Sequence, residues 1–373
     1  MNRLIIIGNG FDLAHGLKTS YCDFINNYLT NALNIFAESR FYDDPLLEIT
    51  HINKHRYYTN IYPVPVTIES VYYSLSQLGP STNTRVKYKS AILAHSINNT
   101  KFGKWVDLEN EYFDQLKSLT SNAKQNGDYS SILTLNDQLN FIKLKLHEYL
   151  SMIELDLEHF EPSKEIFDLF HEQIDSDDIV LELSSTDISK TLFLNFNYTN
   201  TVEKYRGNRN YGASVSNKRV KIPDDINYIH GSLNTPGNPI IFGYGDEYDD
   251  DYLLFEKHKQ NHLFTHIKSF SYFKTVNYHS LIRFLENDDY QVFIVGHSCG
   301  LSDRTMLKEI FEHSKCKSIK IFYYKRQDGS TDFTEKTYDL ARHFTSKGEM
   351  RKKIVSEPNS KPFPQYTNPS AKK

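Results

Sequence analysis

The sequence predicts an α/β fold: a mostly parallel sheet interrupted by a large helical insertion. Three observations point to it. Short apolar, largely β-branched runs near residues 3–8, 191–195 and 291–296 end in glycine or asparagine, as strands buried on both faces of a parallel sheet do. Stretches of helical periodicity separate these runs in the C-terminal half, the alternation of a sheet with helices on both sides. Between about residues 37 and 180 the alternation lapses, and the chain is helical in pattern and rich in Asn, Ser, Lys and Tyr.

The 373 residues suggest two units at ~150 residues per domain. We expect the sheet in 1–36 and 181–355, a helical insertion in 37–180 and a disordered tail in 356–373. The first strand runs from Arg3 to Gly8, Gly10 and Asp12 turn the chain, and a helix follows from Tyr21 to Phe36. In the insertion, Leu135 to Leu157 is the clearest amphipathic stretch. Pro63 and Pro65 break the chain, and 121–131 is expected to be a loop. Further strands are expected at Thr191–Asn195, Ile226–Ile229, Pro239–Phe242, Gln291–Val295 and Ser318–Tyr324. Residues 252–285 should be largely helical, and a helix should follow from about Ser302 to His313.

Composition narrows the function. A net charge of −4 argues against a nucleic-acid binder, which usually carries a basic stripe. The densest basic run, Arg351-Lys352-Lys353, is expected to be a solvated face. The 3 cysteines form no CxxC pair, which fits a reducing cytoplasm and excludes a four-cysteine zinc site. No stretch approaches the ~20 apolar residues of a membrane helix. The expectation is a cytoplasmic protein with no membrane partner and no bound metal.

Four loops at predicted strand ends could carry chemistry. Gly8-Asn9-Gly10-Phe11-Asp12 follows a buried strand, where glycine lets phosphates approach backbone N–H groups. Leu13 replaces the last glycine of a GxGxxG fingerprint, so a plain strand-to-helix turn stays open. Asn195 and Asn197 follow the second strand: Asn195 fits a turn-bracing role, while Asn197 could also hold a ribose hydroxyl or a water. His230-Gly231 ends the third, and an imidazole there can accept a proton near neutrality, with Gly231 giving a substrate room. Gly296-His297-Ser298-Cys299-Gly300-Leu301-Ser302-Asp303 repeats the glycine design, with Ser302 or Asp303 expected to cap the next helix. His297 is a second, weaker acid–base candidate. Asp107, Glu109 and Glu111 are most simply helix-start residues. Acidic residues 246–251 lack calcium-loop spacing.

The opening Ile5-to-Tyr21 segment closely resembles the signature of the abortive-infection AbiH family of phage-defence proteins. Trp105–Glu109, Asn195–Thr199, His230-Gly231, Ile241-Phe242-Gly243 and Gly296–Asp303 resemble that family's later elements, in its order. The family in turn resembles the sirtuin-like, Rossmann-like NAD-binding fold. On that comparison Gly8 to Asp12 is similar to the sirtuin glycine motif, and Asn197 to the asparagine of its Asn-Ile-Asp element. His230-Gly231 is similar to the catalytic His-Gly, and Gly296-His297-Ser298 to the later Gly-Thr-Ser loop.

The resemblance implies an NAD glycohydrolase with NAD as substrate and Asn197 and His230 as catalytic residues. Gly8, Asn9, Gly10, Phe11, Asp12, Tyr21, Gly231, Gly296, His297, Ser298 and Asp303 would form the nucleotide-binding set. A phage-derived trigger is implied, and homo-oligomerisation stays open. Thr199 replaces the acidic residue of the asparagine element, Asp12 stands where sirtuins usually have serine, and the zinc cysteines are missing, which argues against deacylation. The alternatives are a non-catalytic nucleotide sensor and a nucleic-acid-directed toxin.

Overall fold

The computed structural model describes residues 1–51, 75, 78, 84–98, 105–155, 161–182, 186–211, 220–245, 247–249 and 251–366. Pro63, Pro65, Asp246 and Asp250 lie outside these residues. The chain divides into two units. The first comprises Met1–Leu17, Leu150–Tyr252 and Ile267–Lys373, and the second comprises Lys18–Tyr149 and Leu253–His266. The expected boundaries at 36/37 and 180/181 therefore move. Residues 150–180 group with the sheet because Ile166, Leu169 and Phe170 of helix Lys164–Phe170 pack against Ile5, Ile7 and Phe193.

The first unit is built on a six-stranded sheet. Its strands are β1 (Asn2–Ile7), β2 (Lys190–Asn195), β3 (Asp225–Tyr228), β4 (Tyr290–Val295), β5 (Cys316–Tyr323) and β6 (Lys361–Pro362). The order is β6-β5-β4-β1-β2-β3, and every neighbouring pair is parallel. The chain moves outward from β1 through β2 and β3, then returns to lay β4 on the other side of β1. The order thus reverses at β1, and the loops after β4, β1, β2 and β3 stand in a row along the carboxyl edge.

Alternation along the strands produces two cores. Leu4, Ile6, Leu192, Leu194, Val292 and Ile294 face one side, under Leu281, Phe284, Met306, Leu307, Ile310 and Phe311 of the helices Asn277–Leu285 and Arg304–Glu312. Ile5, Ile7, Phe193, Phe293 and Val295 face the other, under Phe11, Ala14 and helix Lys164–Phe170. Both faces of β1 and β4 are covered, which is why these strands are continuous apolar runs rather than alternating ones.

Several expectations are corrected. Pro239–Phe242 is not a strand; it lies over the end of β3, where the Ile241 N–H donates to the His230 carbonyl at 2.7 Å. Residues 252–285 are largely helical, as expected, in the short pieces Tyr252–His258, Asn261–Phe264, Lys268–Ser271, Tyr272–Lys274 and Asn277–Leu285. Residues 356–366 of the C-terminal segment are ordered, and 367–373 lie outside the described residues. Lys361–Pro362 pairs with β5, and Phe363, 5% exposed, packs with Phe11 and Phe170; apolar burial overrides its polar composition. Within the basic run, Lys353 is 4% exposed and donates to the carbonyls of Phe311 (2.9 Å) and His313 (3.0 Å). A cation there meets the partial negative charge at the end of helix Arg304–Glu312.

The second unit includes the helices Tyr21–Ser39, Ala91–Asn98 and Trp105–Asn126, with most of Ser130–Leu155. Ser20 and Asp23 form a capping box at the first of them. The expected loop at 121–131 shrinks, because helix Trp105–Asn126 continues through its first half. The unit also holds an antiparallel sheet of Phe41–Asp43, Leu47–His51 and Thr84–Tyr88, so it is not all helical. Those strands are only three to five residues long, which leaves little apolar run to detect.

Candidate functional site

The carboxyl edge brings the sequence-predicted loops together. Gly8 N–H donates to the Val295 carbonyl (3.0 Å), and Gly10 N–H donates to the Gly296 carbonyl (2.8 Å). The absent side chains are used by the protein itself. A Cβ on Gly8 would lie 2.5 Å from His297 Cα, and one on Gly10 would lie 2.8 Å from Gly296 Cα. Gly296 has φ +64°, a left-handed conformation suited to glycine. The loops after β1 and β4 therefore meet backbone to backbone across the point where the strand order reverses.

The turn after β2 is tied to the same place. Asn195 accepts from Asn197 N–H (3.1 Å) and donates to the Thr199 carbonyl (3.1 Å), so it braces its own turn. Asn197 Nδ2 donates to the Gly8 carbonyl at 3.0 Å. Thr199 donates to Asp12 at 2.6 Å. Phe11 turns its ring into the core at 0% exposure. Asn9 and Gly10 are partly exposed, as are Gly296 and Ser298. Tyr21 belongs to the second unit, where it begins helix Tyr21–Ser39 and its ring neighbours Phe24. Glu109 and Asp107 lie there too, on helix Trp105–Asn126.

His230 is the centre of a buried polar cluster. Its Nε2 lies 3.2 Å from Asp303 Oδ1 and 3.3 Å from the Tyr272 hydroxyl. Lys268 Nζ is 2.8 Å from the same Asp303 oxygen, and His297 Nε2 is 3.9 Å from the other. Phe196 makes an edge contact with the His230 ring at 4.9 Å and also packs on His297 at 4.2 Å. Asp303 thus corrects an expectation: neither it nor Ser302 caps the helix that follows, because the Asp303 carboxylate is turned inward to a lysine and a histidine. Gly231 is also corrected. Its φ is +83°, and a Cβ would lie 2.1 Å from the Pro239 carbonyl oxygen, so the room it provides is occupied by the crossing 239–241 backbone.

Burial and charge set the protonation states. Burial alone raises the Asp303 carboxyl, but the Lys268 ammonium and then His230 outweigh it and hold the acid well below its ordinary range. Burial lowers His297 to about 3. Its Nδ1 accepts from the Cys299 N–H at 3.0 Å, so His297 is a neutral brace of its loop near neutral pH rather than an acid–base group. Burial raises the Cys299 thiol to about 12, which removes it as a nucleophile. His15, beside Phe11 and Tyr205, is lowered by burial to about 4.

Those two histidines make stability depend on pH. Each binds its proton more readily unfolded, near 6.5, than folded, so their contribution is full above pH 6.5 and is lost as pH falls below it. Urea unfolding should lose about 1.4 kcal/mol per pH unit for each ring between pH 6.5 and 5. His15→Gln should remove the share of that slope supplied by its own ring. A stability that is flat from pH 8 to 5 would contradict the burial of both rings as neutral groups.

Lys268 and Tyr272 were not legible as site residues. They sit on adjoining short helical pieces, Lys268–Ser271 and Tyr272–Lys274, far from any motif. The local sequence, Thr265-His266-Ile267-Lys268, gives no signal of the role. A separate cleft of about 610 Å³ opens at the starts of β2 and β3, lined in part by Lys190, Arg206, Asp225 and Arg283. Among the described residues that line it there is no histidine or cysteine, and it lies at the strand starts, opposite the end where ligands of open parallel sheets collect. Among the described residues no cluster of three or more His, Cys, Asp or Glu could hold a metal ion, and no helix is long and apolar enough to cross a membrane.

The fold and site define a parallel α/β protein with a buried His–Asp–Lys cluster where its strand order reverses. The AbiH family model, described as bacteriophage abortive infection AbiH, matches residues 4–325. The chain belongs to that family, which places it in abortive-infection defence against phage. No curated protein matches it.

Proposed function

We propose that this protein cleaves the nicotinamide–ribose bond of NAD during abortive infection, with His230 as general base. The observation that carries the reading is the His230 imidazole held 3.2 Å from the Asp303 carboxylate, at a strand's carboxyl end and near the glycine turn after β1. The sheet is read as Rossmann-like, since its order is that of doubly wound dinucleotide-binding sheets; the sirtuin resemblance of the four loops supports the same assignment. In the reaction, water adds to ribose C1′ as the bond from C1′ to the nicotinamide nitrogen breaks. The bonding pair leaves with nicotinamide, and the water proton passes to His230. NAD and water thus give ADP-ribose, nicotinamide and one proton. Asn197, fixed to the Gly8 carbonyl through Nδ2, keeps its Oδ1 to hold a ribose hydroxyl or the water.

His230, His297 and Asp303 are each less than one-tenth exposed. NAD would enter only after the glycine loops separate, which suits a defence enzyme held inactive until a phage-derived trigger acts. The test is the purified full chain with NAD, with and without phage lysate, reading free nicotinamide. Release in the presence of lysate is expected. NAD binding without release under either condition would instead make the protein a non-catalytic nucleotide sensor, and salt-sensitive affinity for RNA or DNA would favour the toxin reading.

A further inference from the structure

We propose that Lys268 is a positioning residue of this site: by keeping Asp303 a carboxylate, it fixes His230 as the Nε2–H tautomer and leaves Nδ1 as the nitrogen that receives the proton. The inference rests on the reading of His230 as the base. Two groups compete for His230 Nε2, namely the Asp303 carboxylate at 3.2 Å and the Tyr272 hydroxyl at 3.3 Å. If Nε2 carries hydrogen it donates to Asp303; if it is bare, Tyr272 donates to it. The outcome depends on the charge of Asp303, because an ionised carboxylate is much the stronger partner for an N–H.

A carboxyl group this buried stays ionised only with a cation beside it. Lys268 supplies that cation. It is 1% exposed, and its Nζ lies 2.8 Å from the oxygen that faces His230. His297, which also faces Asp303, is the neutral loop brace, and the Cys299 thiol and the His343 ring, which burial holds towards its neutral form, supply no cation in its place. Lys268 is itself held in place. Its N–H donates to the Tyr244 carbonyl at 2.8 Å, and Gly245 lies against its stem, where a Cβ would be 3.2 Å from Lys268 Cβ. The lysine is therefore fixed by the backbone rather than by a flexible surface contact. With Nε2 committed to Asp303, only Nδ1 retains a lone pair for the proton. Loss of the correct tautomer costs about 10⁴-fold in the Ser-His-Asp enzymes when their aspartate becomes asparagine.

The test uses ¹⁵N-labelled full-length protein and the ring ¹H–¹⁵N correlations of histidine, with His230→Gln to assign the signal. The wild type should show a protonated Nε2 and a bare Nδ1 at His230. Lys268→Met should lose that pattern, and Lys268→Arg should keep it. NAD cleavage should fall roughly 100-fold or more in Lys268→Met and recover largely in Lys268→Arg. Lys268→Met combined with Asp303→Asn, which leaves no unpaired charge, should lose the tautomer in the same way and covers the case in which the single variant fails to fold. An unchanged His230 tautomer in Lys268→Met, or in the double variant, would overturn the proposal. Should the wild type release no nicotinamide, the NAD reading fails, while the ring spectra still decide the role of Lys268.

Discussion

His230→Asn is expected to lower NAD cleavage by roughly 10²–10⁴-fold, the usual contribution of a general base, while leaving the fold intact. The asparagine cannot take up a proton near neutrality. The substitution stays within the space between Phe196 and Tyr272 and introduces no charge, so the buried Lys268–Asp303 pair keeps its compensation. Nicotinamide release by the triggered protein checks the effect, with circular dichroism and the unfolding midpoint checking the fold. Turnover within twofold of wild type in a folded variant would remove His230 from the chemistry, whatever the substrate proves to be.

Gly296→Ala is expected to destabilise the protein by about 4 kcal/mol or more, the range reached when a special backbone position is lost and packed atoms collide. A Cβ there would lie 2.2 Å from Phe11 N and 2.5 Å from the Gly10 carbonyl carbon. Both are backbone atoms, so neither can swing aside as a side chain would. Gly237 gives the comparison: its φ is +80° with nothing within 4 Å of a Cβ. Gly237→Ala should therefore cost only the left-handed backbone term, about 1–2 kcal/mol. Chemical unfolding of the two variants separates them, and equal losses would mean that the two glycine loops are not packed together as described.

The sequence was informative where burial is two-sided or geometry admits only glycine. Apolar runs such as Leu4–Ile7 and Val292–Val295 can be buried on both faces only in a covered sheet. Gly8, Gly10, Gly231 and Gly296 mark strand ends because each meets backbone too closely for a side chain. Their partner was not legible: Gly8, Gly10 and Gly296 suit close approach of phosphates and Gly231 gives a substrate room, and in this structure each lies against a neighbouring backbone segment. The antiparallel strands of the second unit were missed because runs of three to five residues are too short to establish a period, and the ordered C-terminal segment was missed because Phe363 and Tyr366 are isolated aromatics in a polar stretch.

Order along the chain, then, sufficed for a parallel α/β fold, for the positions of its turns and for His230 as the leading base candidate. It could not give His230 its neighbours. Asp303 reads as a helix cap until the loop after β4 turns its carboxylate inward, and Lys268 reads as one surface cation among many until a short helical segment buries it at 2.8 Å from that carboxylate. The physical reason is that periodicity and turn chemistry are local, recorded within a few residues. An ion pair between residues 35 positions apart, and its hold on a histidine from a third loop, exist only once the sheet has set its strands side by side.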